Sequence, residues 1–213
     1  MRTFALSAAV AVVPGLFAAG CGAKPSTTAP APAAASTSEG TPTAPKSAED
    51  AVRVDHTVVD IDGKEVSLKS YRGKALLIVN TASECGYTPQ YADLELLYRE
   101  YRAQGLEVLA FPSNDFGGQE PGDADDIKAF TEERFDISFP LFGKVHARGP
   151  DISPLYKTLS EQTEERLRGP VQWNFTKFLV DPDGKVVARF DSGTSPTDPA
   201  VKAAVEQALP KKG

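Results

Sequence analysis

Residues 80–89 read Asn80-Thr81-Ala82-Ser83-Glu84-Cys85-Gly86-Tyr87-Thr88-Pro89, and they join an apolar segment to an amphipathic one. The apolar segment before them, Ala75–Thr81, is short and unbroken, which is typical of a buried strand. The amphipathic segment after them, Pro89–Tyr101, carries apolar residues at helical spacing. Thr88 is expected to cap this helix, with Pro89 at its first position. The pattern therefore places Cys85 where a core strand turns into a helix.

This position favours a reactive thiol. The partial positive charge at a helix N-terminus stabilises a thiolate, which is the nucleophilic form of cysteine. Gly86 and the polar neighbours of Cys85 favour an exposed side chain. The alternative is an inert core residue, because a free cysteine often packs as a small hydrophobe. We expect Cys85 to be an exposed nucleophile.

The length and the net charge of the chain limit its possible functions. The chain has 213 residues, which is enough for one domain of ordinary size with extensions. Its net charge of −6 argues against a general nucleic-acid-binding surface, which would need a basic face.

The N-terminal region has the layout of an export signal followed by a linker. Residues 1–20 contain Arg2 and an apolar stretch that is too short and too interrupted for a membrane span. The sequence Ala18-Ala19-Gly20-Cys21 resembles a bacterial lipobox, in which Cys21 would carry the lipid; simple signal-peptidase cleavage is the alternative. Residues 21–50 are rich in Ala, Pro, Ser and Thr and predict a disordered tether. The expected location is outside the cytoplasm, with residues 51–213 anchored to a bacterial membrane.

The domain that follows is expected to contain strands and helices in mixed order. A β-hairpin around Asp62-Gly63 precedes the Cys85 unit, and a second hairpin around Pro182-Asp183-Gly184 follows it. Further strands are predicted at Leu106–Phe111 and Phe139–Val145, and further helices after Asp123, Ser153 and Asp198. This order predicts an α/β domain with a mixed central sheet and helices on both faces. A cysteine at its strand-to-helix junction is the arrangement of the thioredoxin-like fold.

The residues around Cys85 limit the chemistry. Thioredoxin-like disulfide oxidoreductases use Cys-x-x-Cys, where the second thiol resolves a mixed disulfide, but here Thr88 occupies the second position. A copper-binding version of the fold would need two cysteines with a nearby histidine, and neither His56 nor His146 has that spacing. A single-thiol nucleophile of the peroxidase type remains. This chemistry requires no metal and no organic cofactor.

Three ordered blocks then resemble one family. They are Asn80-Thr81-Ala82-Ser83-x-Cys85-Gly86, Phe111-Pro112-x-Asn114-x-Phe116-Gly117-x-Gln119-Glu120-Pro121, and Trp173-Asn174-Phe175-x-Lys177-Phe178-Leu179. Together they are similar to the glutathione peroxidase family in its cysteine-containing, non-selenium bacterial form. The resemblance implies a thioredoxin-like fold and a peroxidase that acts on hydrogen peroxide and organic hydroperoxides, including those of lipids.

The resemblance also implies roles for particular residues. Cys85 would be the nucleophile, and Gln119, Trp173 and Asn174 would donate hydrogen bonds to it. The oxidised thiol would be a sulfenic acid, reduced by an external thiol such as glutathione or a thioredoxin-like protein. Thr131 stands where thioredoxin-dependent members carry a resolving cysteine, so an internal disulfide is not expected. The segment 147–172 is short compared with tetrameric members, which predicts a monomer.

Two other interpretations remain. The chain could be an anchored thioredoxin-fold binding protein that has lost turnover, or a monothiol disulfide reductase. The presence of all four site residues argues against the first, and the missing second cysteine weakens the second. The reductant is left open by the sequence.

Overall fold

The computed structural model describes residues 52–211. The predicted signal segment, the tether and Cys21 therefore lie outside the described residues. In the described part, no helix is both long and apolar enough to cross a membrane.

A four-stranded mixed sheet forms the centre of the domain, as predicted. Its strands are β3 (Ala75–Thr81), β4 (Leu106–Pro112), β5 (Lys177–Val180) and β6 (Val186–Phe190). The spatial order is β4-β3-β5-β6, with β3 parallel to β4 and antiparallel to β5. Every residue of β3 and β4 is buried, which is why both strands are mostly apolar and show no alternation of apolar and polar residues.

Helices cover both faces of this sheet, which confirms the predicted α/β class. The helices are α1 (Gln90–Tyr101), α2 (Ala124–Phe135), α3 (Pro154–Glu161) and α4 (Pro199–Ala208). Alternate residues of β3 face opposite ways, so Leu77 packs in a core with α1 and α4, whereas Ile78 packs in a second core with α3. Asp123 caps α2 through a reciprocal capping box with Asp126, as the sequence indicates.

The N-terminal hairpin forms a separate two-stranded sheet. Its strands, β1 (Thr57–Val59) and β2 (Glu65–Ser67), are shorter than the segments His56–Ile61 and Glu65–Leu68 for which the sequence predicts strands. The turn is longer than the two-residue turn that Asp62-Gly63 predicts, because Asp60 pairs with Lys64 and its carboxylate accepts the N–H groups of Asp62 and Lys64. Gly63 provides the positive φ of 83° that this turn requires.

The strand predicted at Phe139–Val145 is absent. Only two isolated bridges form there, from Leu141 to Ala110 and from Phe142 to Asp60. The apolar residues of the segment are instead used for packing, since Phe142 stacks on Phe111 with ring centroids 4.5 Å apart. Apolar spacing alone could not distinguish a paired strand from an extended packing segment.

Candidate active site

The turn between β3 and α1, residues 82–88, places Cys85 at the carboxyl end of a central strand. The Thr88 hydroxyl accepts the N–H of Cys85 at 3.0 Å and donates to the carbonyl oxygen of Ala82 at 2.8 Å. The expected capping role of Thr88 is therefore wrong: its side chain closes the turn, and α1 begins at Gln90 after Pro89 without a side-chain cap. This turn is referred to below as the Cys85 turn.

Cys85 is more buried than the sequence indicated. Its side chain is 7% exposed and packs in the core shared by α1 and α4, so the prediction of an exposed thiol is wrong. The N–H of Tyr87 donates to its Sγ atom at 3.4 Å, within the longer range that sulfur accepts. Cys85 is the free cysteine of the described residues. The turn therefore directs a backbone donor at the sulfur atom.

Two of the predicted partners of Cys85 contact each other. The side-chain amide of Asn174 donates to Oε1 of Gln119 at 3.1 Å. The backbone carbonyl of Gln119 accepts the N–H of Glu84 at 3.0 Å, which joins this pair to the Cys85 turn. Within residues 52–211, the hydrogen bond to Sγ comes from Tyr87 and not from these amides. The structure thus brings Gln119 and Asn174 together beside the turn, and their roles toward sulfur stay predictions.

Trp173 lies on the wall of a groove beside the same turn. The groove is lined by Tyr87, Gln172, Trp173 and residues 191–193, and encloses about 480 Å³. Both aromatic side chains are partly exposed, Tyr87 by 39% and Trp173 by 37%. A Cβ atom on Gly117 would lie 3.7 Å from both the Trp173 ring and Cγ of Gln119, so these two side chains border the same glycine. This space is called the Trp173 groove below.

The segment carrying Trp173 and Asn174 is fixed from the end of β3. The Asn80 side chain donates to the carbonyl oxygen of Trp173 at 3.1 Å, and the Asn80 carbonyl accepts the N–H of Phe175 at 2.6 Å. Phe175 is fully buried yet has a φ of 62°, an unfavourable left-handed conformation for a bulky residue. Asn80 was recognised only as part of a motif, and the structure gives it a positioning role.

The second motif forms a loop held by Asp115. Its carboxylate bonds to His146 at 2.8 Å and accepts the N–H groups of Ala147 and Arg148. Burial opposes ionisation of this carboxyl, but these bonds outweigh it and lower the pKa of Asp115. The same carboxylate raises the pKa of His146. Arg148 stacks over Phe116, 4.5 Å from the ring centroid, so the loop supports the ring that lies beside Trp173.

Lys177 is a fully buried cation behind the Trp173 groove. Its ammonium donates to three backbone carbonyls of the loop after β6, those of Asp191, Ser192 and Thr194, at 3.5, 3.4 and 2.5 Å. Gln90 of α1 donates to the Ser192 carbonyl as well. Burial lowers the pKa of Lys177 to about 8, although nearby acidic groups oppose the shift. Lys177 therefore fixes the loop that faces Trp173 across the groove.

Glu120 is a buried acid directly after Gln119. Its side chain is 1% exposed, and neither carboxyl oxygen has a partner in hydrogen-bonding geometry. Burial raises the pKa of Glu120 to about 7, although Ser83 and Lys144 lie close enough to oppose the rise. The sequence pattern predicts no role for this residue, because burial cannot be read from a loop rich in Gly and Pro.

Metal chemistry has no evident ligand set in the described part of the chain. No group of three or more His, Cys, Asp or Glu side chains between residues 52 and 211 is arranged to hold a metal ion. His56 and His146 lie apart from Cys85 in the hydrogen-bond network, bonded to Thr158 and Asp115.

Comparison with known proteins identifies the family. The family model described as glutathione peroxidase matches residues 54–160. The chain belongs to the glutathione peroxidase family. It is 47% identical over 149 residues to a glutathione peroxidase homolog of Halalkalibacterium halodurans, which covers 70% of this chain and 94% of that protein. The family consists of peroxidase enzymes, in agreement with the prediction from the three motifs.

Other relatives extend this result to plants and to solved structures. A chloroplastic phospholipid hydroperoxide glutathione peroxidase of Arabidopsis thaliana is 50% identical over 143 residues, 67% of this chain and 61% of that protein. The chain thus spans about three fifths of that longer relative's length. The crystal structure of Trgpx in apo form has a TM-score of 0.62 at 35% identity, covering 76% of this chain and 98% of that one.

The thioredoxin-like fold is confirmed by a more distant comparison. A thiol:disulfide interchange protein of the thioredoxin family from Chlorobium tepidum matches with a TM-score of 0.56 at 19% identity, over 75% of this chain and 95% of that one. At this identity the match concerns the fold alone.

Proposed function

We propose that this protein is a thiol peroxidase that reduces hydroperoxides through Cys85. The thiolate of Cys85 attacks one oxygen of the peroxide, the O–O bond breaks, and the leaving oxygen takes up the proton lost by the thiol. Cys85 is then a sulfenic acid, and water or an alcohol is released. The observation that carries the proposal is the placement of a free cysteine, with a donor to its sulfur, in the first motif of a peroxidase family.

Gln119, Trp173 and Asn174 are proposed to assist this step. The Trp173 indole and the two side-chain amides are hydrogen-bond donors suited to a thiolate or to the departing oxygen. Support comes from the Asn174–Gln119 bond and from the glycine that Gln119 and Trp173 both border.

An external thiol is proposed to complete the cycle. One thiol condenses with the sulfenic acid, releasing water and forming a mixed disulfide; a second thiol attacks this disulfide and regenerates Cys85. Thr131 supports this route, since it is fully buried in α2 and its hydroxyl bonds to the carbonyls of Ile127 and Lys128. Glutathione, a thioredoxin-like protein and other thiols are the candidate reductants. The acting unit is expected to be the monomer.

Anchoring through Cys21 is proposed to place the domain at a bacterial membrane, on its outer side. The support is the sequence alone: a lipobox-like site followed by a tether of about thirty residues, which would span about 30 Å. This reach makes lipid hydroperoxides plausible substrates beside hydrogen peroxide. The acidic net charge disfavours close docking to anionic headgroups, so access would depend on the anchor.

Replacement of each cysteine tests the central proposal. Cys85→Ser is expected to abolish peroxide consumption with glutathione or thioredoxin as reductant. Cys21→Ser, the matched control, is expected to keep this activity and to move the protein from the membrane to the soluble fraction. Substantial activity in Cys85→Ser would refute the nucleophile, and an unchanged membrane fraction for Cys21→Ser would refute the anchor.

The role of the anchor in substrate choice needs a separate experiment. The lipidated protein and the Cys21→Ser variant are compared on vesicles of peroxidised phosphatidylcholine and on hydrogen peroxide. We expect the anchored form to be faster on vesicles only. Equal rates on vesicles would show that the anchor has no role in substrate choice.

A further inference from the structure

Several buried polar groups collect behind the Cys85 turn without pairing. The hydroxyls of Thr81, Ser83 and Tyr91 and both carboxyl oxygens of Glu120 are buried and have no partner in hydrogen-bonding geometry. Buried polar groups are normally paired, so a group of unpaired ones calls for an explanation. These atoms surround the same short stretch of backbone, the end of β3 and the start of the Cys85 turn.

Glu120 is linked to this stretch through two contacts. Ser83 approaches its carboxyl with both its hydroxyl and its backbone N–H. The neighbouring residue, Gln119, accepts the N–H of Glu84 through its carbonyl. Any displacement of the Glu120 side chain is therefore transmitted to the two residues that directly precede Cys85.

We propose that Glu120 is a positioning residue for Cys85, and that its buried carboxyl supports the Cys85 turn from behind. This rests on the proposed role of Cys85 as the nucleophile. Glu120 touches neither the sulfur nor a substrate in this account; it acts through Ser83 and Glu84.

The charges around Glu120 make this support dependent on pH. The turn presents the carboxylate of Glu84, α2 presents Asp126 beside the same cavity, and α1 presents the Tyr91 hydroxyl. The one nearby cation, Lys144, donates to the backbone carbonyl of Glu120 at 2.9 Å and not to its carboxyl. An ionised Glu120 would thus be a buried charge beside the carboxylate of Glu84, opposed only by Lys144 and by the approach of Ser83, which falls outside hydrogen-bonding geometry.

Ionisation would favour movement of the side chain toward water. A cavity of about 430 Å³, which reaches from Ser83 to Phe130, adjoins Glu120 and offers that route. Movement into it would pull on Ser83 and disturb the Cys85 turn. Because burial raises the pKa of Glu120 to about 7, this change would occur in the physiological range.

The test compares Glu120→Gln with the wild type across pH. The rate constant for alkylation of Cys85 by iodoacetamide and that for its oxidation by hydrogen peroxide are both measured. Near pH 6 we expect both proteins to agree within about twofold, since glutamine imitates the neutral acid. Near pH 8.5 we expect Glu120→Gln to be faster by about fivefold in both reactions, with the ratio changing around pH 7.

Two further variants decide between positioning and general charge effects. Glu84→Gln removes an exposed carboxylate whose charge helps to raise the pKa of Glu120. It is expected to match wild type near pH 6 and near pH 8.5, because Glu120 is then neutral in both proteins or ionised in both. Glu120→Ala removes the support and is expected to slow both reactions about tenfold even near pH 6. If Glu120→Ala does not fold, the pH dependence of the Glu120→Gln ratio alone decides the proposal.

The proposal would be overturned if the ratio of the Glu120→Gln rate constants to those of wild type did not change with pH. It would also be overturned if Glu84→Gln showed the same increase near pH 8.5. Failure of the proposed function would look different. In that case Cys85→Ser would keep peroxidase activity, while alkylation of Cys85 in the wild type would still report whether Glu120 positions the thiol.

Discussion

Glu120 and Lys177 are both charged residues buried beside the candidate site, yet the fold treats them differently. The Lys177 ammonium has three carbonyl partners, whereas the Glu120 carboxyl has none in hydrogen-bonding geometry. Both pKa values are shifted toward the neutral form, Lys177 to about 8 and Glu120 to about 7. Hydrogen-bond partners therefore do not by themselves offset the effect of burial on the pKa. They decide whether the buried charged group fixes the residues around it.

The largest expected effect is on the way the free energy of unfolding depends on pH. The pKa of Glu120 is raised from 4.5 to about 7 on folding, so the folded state binds its proton more tightly. Stability from this group is full below pH 4.5 and is lost as pH rises toward 7, by about 3 kcal/mol in all. Glu120→Gln should remove this loss. Urea denaturation of both proteins across this range measures it, and parallel stability curves would contradict it.

Lys177 is expected to change the free energy of unfolding with pH in the opposite direction and by about the same amount. Its pKa is lowered from 10.5 to about 8, so the unfolded state binds the proton more tightly. Its contribution to the free energy of unfolding should therefore rise between pH 8 and 10.5, by about 3 kcal/mol. This rise should be missing in Lys177→Met and retained in Lys202→Met, which affects only a surface ion pair with Glu100. A rise that survives Lys177→Met would assign it to other groups.

A smaller effect is expected from the threonine that closes the Cys85 turn. Thr88→Val leaves the N–H of Cys85 and the carbonyl of Ala82 without their partner, which should cost about 2 kcal/mol of unfolding free energy. Thr131→Val is the matched control: Thr131 is also buried, but its hydroxyl bonds only to carbonyls of its own helix. Its cost should stay below about 1 kcal/mol. Urea denaturation at one pH compares the two, and equal costs would mean that Thr88 does not secure the turn.

The smallest effect is expected on the opposite side of the site. The carbonyl of Trp173 accepts from both Asn80 and Thr176, so each donor can partly replace the other. Asn80→Ala should cost about 1 kcal/mol, and the double variant with Thr176→Val should cost more than the sum of the single changes. A double-mutant cycle measured by denaturation tests this coupling. Strict additivity would show that the two bonds act independently.

Much of the fold could be predicted from local sequence patterns. The unbroken apolar run gave β3 with its observed bounds, and the caps at Asp123, Ser153 and Asp198 marked three helix starts. These features depend on residues close together in the chain. The prediction of a strand at Phe139–Val145 was wrong because strand pairing depends on a partner that the residues of the segment do not specify.

The site was predictable in its residues but not in its contacts. The motifs identified Cys85, Gln119, Trp173 and Asn174, and the structure places them on three neighbouring segments: the Cys85 turn, the loop after β4 and the segment before β5. The Asn174–Gln119 bond joins residues 55 positions apart, and the burial of Cys85 depends on packing by α1 and α4. Phe175 could not have been anticipated in a left-handed conformation, since only tertiary packing holds a phenylalanine there.

Trp173 is the sole tryptophan of the chain, and it stands at the edge of the groove, partly in water and partly against Phe116. All indole fluorescence of this protein therefore originates within the candidate site. A change in the polarity or charge beside Cys85 is reported without background from other tryptophans. Trp173 fluorescence is therefore expected to follow the proposed oxidation of Cys85 and its reduction by an external thiol in real time, without a label.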